Sequence, residues 1–440
     1  MKKTLTLILA VCLLLTLLPA HMAFAQGEKV TIRFAPGWSA DTRGDLKRSI
    51  VEKFCEENPD INLVLEEISG DEMKNKIRVD VAGNNEPDVW QFWPGCTCNE
   101  YAEAGILADI SDYLSKTDAI KEEYFSPAVW ETCSYKGTKV ALPICGAYSV
   151  MMINKPLFEQ FGLEAPTNYD ELLEVGKVFA ANGITTLNVG SKGGNPSHFL
   201  FNALVCEYEQ GVQDTFNMAD PALMTYKTDA MINAARKIEE MRDLGLFAKD
   251  TLGQTGDWSP SIAYYDEGMS AMCYTLSWCF QSVSPETLAI SEIIPFPGFV
   301  DSDRTVNHAQ GTTNDCFCVS AKAWNDPKKQ DAIRRLLDCL MADMTPAVVQ
   351  AGLEVPLNSK TIAEMDTDAM EDRLMVEVMN WNQEHDIQAD PMIWTYTPTQ
   401  SMLQDYCGAL DELFAGAINA DEFIEKCETS ALEYLEDLDI

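Results

Sequence analysis

Strand-like and helix-like periodicities alternate from Val30 onward, and this alternation restricts the possible folds more than any other feature of the chain. Val30 to Phe34 reads as a strand, Thr42 to Glu56 as a helix with Leu46, Ile50 and Phe54 on one face, and Ile61 to Glu67 as a second strand. Asn58-Pro59-Asp60 separates helix from strand, because proline cannot continue a helix and restricts the residue before it. A helix from about Asp71 to Ala82 and a buried strand from Pro87 to Phe92 repeat the pattern. Parallel α/β architecture is expected, since parallel strands need crossover helices.

Further along, Lys139 to Ile144 and Tyr148 to Ile153 read as two apolar runs around Cys145-Gly146-Ala147, followed by a helix from Lys155 to Phe161. Pro166-Thr167-Asn168-Tyr169-Asp170 resembles a capping box in which the Thr167 hydroxyl accepts from the Asp170 amide. That helix should stop at Asn182-Gly183 and be followed by a strand from Ile184 to Val189. Met231, Ala235, Ile238 and Met241 mark one amphipathic helix, and Ile333, Leu337 and Leu340 another; both stripes read as core. Internal repeats and low-complexity linkers are absent from the sequence.

The first 25 residues have the outline of a secretory leader: Lys2 and Lys3, an apolar run from Leu5 to Leu18, then Ala23-Phe24-Ala25 before an expected cut at Gln26. Leu9-Ala10-Val11-Cys12 resembles a lipoprotein site, but Val11 is too bulky for it, so a lipid anchor is not expected. No later stretch reaches the roughly 18 uninterrupted apolar residues of a spanning helix. A soluble chain secreted, periplasmic or on the cell surface is expected, away from ATP, NADH and the reducing cytosol.

Without the leader, 415 residues exceed the ~250–300 at which one core stops growing, so two domains are expected. Loss of two leader lysines leaves 30 basic against 69 acidic residues, a formal charge of -39. Such a balance repels phosphates and argues against nucleic acid and anionic membranes as partners. Its simplest consequence is solubility.

Of 14 cysteines, 13 follow the leader, an odd number that leaves at least one unpaired. Cys96-Thr97-Cys98 and Cys316-Phe317-Cys318 are the close pairs, and neither has the C-x-x-C spacing of zinc or redox motifs, so no metal is expected. Cys55, Cys145, Cys206, Cys273 and Cys339 lie in apolar patterns, where cysteine acts as a small hydrophobe.

Signatures of zinc proteases, serine hydrolases and nucleotide-binding loops are missing from the sequence. His198, His308 and His385 fall in polar or loop-like surroundings and read as surface residues. Tryptophan says more. Trp38 follows the first strand and Trp93 the strand ending at Phe92, where open sheets bind ligands. Trp258, Trp278 and Trp394 with Tyr396 fall in or beside breaks such as Gly256-Asp257-Trp258-Ser259-Pro260. Each is either a cleft aromatic suited to the C–H face of a sugar or partly buried core; Trp130, Trp324 and Trp381 are assigned to core.

Four ordered segments resemble the extracellular solute-binding proteins that feed carbohydrate ABC importers, the group that includes maltose-binding protein. They are Val30 to Trp38 with FCEENPDINLV (54–64); NEPDVWQFWPGCTCNEYAEAGILADISDYL (85–114); Ala141 to Gly183 with ALPI, INKPLFEQFGL and APTNYDELL; and EGMSAMCYTLSW (267–278) with Ile293 to Gly298. The resemblance implies an α/β, two-lobed periplasmic-binding-protein type II fold with a hinge and an interlobe ligand cleft. Residues 26–144 and 307–355 would form lobe 1, and 145–306 and 356–440 lobe 2, with crossings near Cys145, Phe299 to Val306 and Pro356. Trp93 and Trp278 match sugar-stacking positions, Trp38 with Asp41 the first binding loop, and Trp394 with Tyr396 the closing C-terminal aromatics. Ala147 stands where some relatives place a polar contact, and the lipoprotein site usual in Gram-positive relatives is missing.

The function so implied is non-enzymatic capture of a sugar or oligosaccharide by a monomer that delivers it to the transmembrane subunits of an ABC permease, with no cofactor. Alternatives are another solute on the same fold, such as a polyol phosphate or polyamine, and a secreted glycoside hydrolase.

Overall fold

The computed structural model describes residues 29–438 except 39, 69–70, 192–194, 218–219, 250–257, 303, 305–307, 310, 371 and 385–386. The leader, Cys12, the Gly256-Asp257 break and His385 lie outside the described residues.

Nine strands form one sheet: β1 (Val30–Ala35), β2 (Ile61–Leu65), β3 (Val89–Phe92), β4 (Leu142–Asn154), β5 (Thr185–Asn188), β6 (Ser270–Leu276), β7 (Ser291–Ile294), β8 (Gly311–Val319) and β9 (Val355–Pro356). Their order is β2-β1-β3-β8-β4-β6-β5, with β7 and β9 also paired to β4. The expected parallel pairing holds for β1 with β2 and β3, and for β5 with β6. It fails at the centre, where β8 runs antiparallel to β3 and β4, and β4 antiparallel to β6. The sheet is therefore mixed.

Strand β4 organises the molecule. Leu142 to Tyr148 pair with β8, whereas Ser149 to Ile153 pair with β6. The two apolar runs anticipated around Cys145-Gly146-Ala147 are thus one continuous strand of 13 residues, because partners on successive stretches keep its backbone hydrogen-bonded throughout. Core membership changes along it. Leu142, Ile144 and Cys145 belong to a first apolar core with β1, β3 and β8, while Ala147 and Val150 to Ile153 belong to a second with β5 and β6. Two later changes follow, between Ile294 and Cys316 and between Leu353 and Val355.

Local chemistry explains the helices beside these cores. Asp41 caps Thr42–Glu57 by accepting from the Gly44 amide at 2.7 Å. The buried side of that helix is Lys47, Val51 and Phe54, with Leu46 and Ile50 only half-buried. Lys47 tolerates burial because its ammonium lies 2.5 Å from the Glu354 carboxylate. Before Tyr169–Ala181, Asn168 rather than Thr167 is the cap: its side chain accepts from the Glu171 amide, and Thr167 donates through its amide and hydroxyl to the Glu171 carboxylate. The reading from Thr167 was one residue early. In Asp229–Asp243, Met231, Ala235, Ile238 and Met241 are buried as the stripe required.

Gln330–Cys339 continues through a π-helical stretch, Leu340–Met344, whose Leu340, Met341 and Met344 are buried in the first core. All 13 described cysteines are free thiols, with Cys55 and Cys407 half-buried and the others buried. Among the described residues, no helix is long and apolar enough to cross a membrane.

Candidate ligand-binding site

A cavity of about 480 Å³ lies between residues of the two cores. Lys74 and Arg78 from the helix Asp71–Ala82, with Phe92 and Tyr101, line one side; His198, Trp394 and Gln404 line the other. Two contacts join the sides. Glu100 accepts a hydrogen bond from the Gln400 amide at 2.8 Å, at the start of the helix Gln400–Ala415. At Gly95, where φ is +84°, a side-chain Cβ would lie 2.5 Å from the Cα of Thr395. Glycine is required there for both the backbone angle and the close approach.

Trp394 sits on the short helix Ile393–Tyr396 and stacks on His198, with 5.7 Å between ring centroids and 15° between planes. His198 is 2% exposed, and both ring nitrogens lack a hydrogen-bond partner among the described residues, as does the Trp394 indole nitrogen. Burial, reinforced by the charge of Lys74, pushes the His198 pKa down to about 3, so the ring is neutral. The reading of His198 as a surface residue is corrected here: the apolar face of the helix Asn195–Val205 carries it inward.

From Trp394 a chain of edge-to-face contacts runs through Phe199 (5.1 Å) to Trp258 (5.4 Å) and on to Trp278 (6.1 Å). Trp258 opens the helix Trp258–Asp266 and is 4% exposed, so it supports its neighbours from within the core. Trp278 is half-buried on the turn directly after β6, and the Arg43 guanidinium lies 5.4 Å above its ring. Arg43 is also 3.7 Å from Glu354. Burial disfavours ionised Glu354, yet Lys47 and Arg43 outweigh that effect and hold its pKa below the usual carboxylate range.

On the other side, Trp93 follows β3, packs against Phe92 at 5.6 Å and receives the Lys74 ammonium 5.1 Å above its ring. Trp38, also 4% exposed, meets Phe34 edge-on inside the first core, and Asp41 works as the helix cap described above. Tyr396 is half-buried; burial, then Glu131, raises its hydroxyl pKa. The structure therefore joins Trp258, Trp278 and Trp394 in one aromatic chain, of which Trp394 alone lines this cavity. Trp93 packs on Phe92 beside Lys74 outside the lining, Tyr396 and Asp41 also lie outside it, and Trp38 is in the core. Trp130 and Trp324 are buried as assigned, but Trp381 is exposed.

Reasoning from tryptophans missed His198, Lys74, Arg78, Gln404 and Arg43. A polar helix face at Asp71–Ala82 was a visible signal for Lys74 and Arg78.

The sequence profile for bacterial extracellular solute-binding proteins matches residues 39–301, more than half of the chain. The chain belongs to this family. A probable sugar-binding periplasmic protein of Brucella melitensis biotype 1 is 26% identical over 213 residues, 48% of this chain and 48% of that protein. The chain thus spans about half the length of the curated relatives it matches. A structure from work on xylan utilization by the thermophilic Caldanaerobius polysaccharolyticus has TM-score 0.79 and 22% identity, covering 91% of this chain and 99% of that one. A chitin oligosaccharide binding protein has TM-score 0.81 at 18% identity, covering 92% and 99%. At these identities the likeness establishes the fold: α/β, two-lobed, of the solute-binding type.

His308, also read as a surface residue, is instead half-buried among ions. Its Nδ1 lies 2.9 Å from Asp390 and its Nε2 3.4 Å from Glu207, while Arg304 reaches Asp390 at 3.0 Å. Arg304 and His308, on the segment between β7 and β8 where core membership changes, thus meet Glu207 and Asp390 from distant parts of the chain in one charged cluster.

Proposed function

We propose that this protein is the extracytoplasmic substrate-binding component of an ABC importer, capturing a sugar or oligosaccharide between its lobes and presenting it to a membrane permease. One observation carries the reading. The cavity between the two cores combines a stacked aromatic wall with buried polar atoms of His198 and Trp394 that have no hydrogen-bond partner among the described residues. Flat rings suit the C–H faces of a pyranose, and unpaired nitrogens suit its hydroxyls. Polar groups buried without partners are costly, so a ligand that supplies hydrogen bonds recovers that cost.

Ligand contact with both sides favours a closed arrangement over an open one by the free energy of the added contacts. We assign residues 26–144 and 307–355 to one lobe and 145–306 and 356–440 to the other, with secretion following removal of the leader near Ala25. The names of the relatives, sugar-binding and chitin oligosaccharide binding, point to the same ligand class. No covalent step is needed: Glu100 is the one acid among the described lining residues, whereas glycoside hydrolysis uses two facing carboxylates.

A second reading keeps the fold and changes the solute to a phosphorylated polyol, favoured by Lys74 and Arg78 in the wall. Nothing in the lining favours a polyamine. A thermal-shift screen over mono- and oligosaccharides, amines and phosphorylated polyols separates these, because a ligand bound by the native state alone raises the melting temperature. Stabilisation by neutral sugars is expected. Stabilisation by amines alone, or turnover of a glycoside, would reject the proposal.

A further inference from the structure

Three buried thiols from distant parts of the sequence meet in the first core. The sulfur of Cys98 lies 3.5 Å from that of Cys318 and 3.9 Å from that of Cys316, and all three lie within 4.8 Å of one another. Cys316 and Cys318 alternate along β8 and so share one face of the sheet, opposite Phe92 and Trp90 of β3. Cys98 enters from the first turn of the helix Cys96–Glu103. Cys133, at the end of Pro127–Thr132, is buried in the same core beside Cys316.

We propose that Cys98, Cys316 and Cys318, with Cys133 as the fourth donor, form a thiolate site for a soft divalent ion of the zinc class. Sulfurs at about 2.3 Å from a tetrahedral zinc are about 3.8 Å apart, the separation that Cys98 already keeps from Cys316 and Cys318, and Cys133 would complete the set by closing in from beside Cys316. Apolar packing alone would not require several sulfurs at one point, since any small hydrophobe fills such volume. Burial disfavours several thiolates at one point, and a bound divalent ion would offset their negative charge. A contrast is provided by the nearby Cys145, Asp315 and Glu354, also clustered and buried. There Lys47 and Arg43 already supply the positive charge, so that cluster needs no metal.

The sulfurs are sealed from solvent, so the ion would enter during folding. The test is to refold the full-length chain without oxygen in the presence of Co(II) or Zn(II), desalt it, and measure bound metal, absorption and melting temperature. One ion per chain, a thiolate-to-cobalt charge-transfer band and a raised melting temperature are expected. Cys316→Ser should abolish the band and Cys273→Ser, buried in β6 away from the cluster, should retain it. If Cys316→Ser fails to fold, metal retention by the wild-type chain against a competing chelator decides instead. Folded wild-type protein that retains no stoichiometric metal overturns the proposal, as does a cobalt band that survives Cys316→Ser. A Cys98–Cys318 disulfide in the protein purified without oxygen also overturns it.

Discussion

Arg43 belongs to a helix on the first core, yet its guanidinium lies 5.4 Å above the ring of Trp278, which belongs to the second. The ring face suited to a sugar is therefore covered by an arginine that Glu354 holds from behind. A ligand stacking on Trp278 must displace Arg43 or share the ring with it. Trp278→Ala should weaken ligand binding about tenfold, measured by calorimetry, because it removes a large aromatic contact area. Trp258→Ala, at a buried ring, should instead cost about 3–5 kcal/mol of stability. Equal effects of the two substitutions on affinity would contradict the assignment of Trp278 to the site.

Replacing His198 by Phe keeps a ring against Trp394 and removes the two nitrogens that have no partner among the described residues. Stability measured in urea should stay constant or rise, since the desolvation cost of ~1–3 kcal/mol is relieved. Affinity should fall about tenfold if those nitrogens meet the ligand. With its pKa near 3, His198 should also give wild-type affinity no step between about pH 5 and 8.

Gly95→Ala sets a methyl group against the Cα of Thr395 and strains a backbone at positive φ. A cost of about 1–3 kcal/mol in the contact between the two sides is expected. Small-angle scattering should show a more open molecule, and ligand affinity should fall with Trp394 and His198 untouched. Unchanged scattering and affinity would mean that this contact does not hold the cleft.

His308 predicts a pH dependence of stability. Burial works against its charged form, but hydrogen bonds to Asp390 and Glu207 prevail and raise its pKa to about 9. A raised folded-state pKa contributes stability fully present below the unfolded value of about 6.5 and lost as pH rises through about 9. Chemical denaturation should therefore show a decline of ~2 kcal/mol across that window, discounted for the ion network around it. His308→Gln should flatten the decline.

Periodicity alone located β1, the helix Thr42–Glu57, the helix Asp71–Ala82 and the stripe of Asp229–Asp243, because these features arise from contacts between near neighbours in sequence. Reading Lys47 off a buried face was not possible in the same way: its partner Glu354 lies 307 residues away. Likewise, a thiol spacing of C-x-C between Cys316 and Cys318 argues against a metal motif until β8 is laid beside the helix that carries Cys98.

Residue order determined the alternating α/β elements, the abundance of thiols and tryptophans, and the family, since these depend on composition and local pattern. Only the tertiary structure decided that the sheet is mixed about β4, that His198 is buried, and which aromatic rings touch one another. The reason is physical: burial and ring contacts are set by the partner that arrives from another strand or helix, and no single stretch of chain contains both members of such a pair.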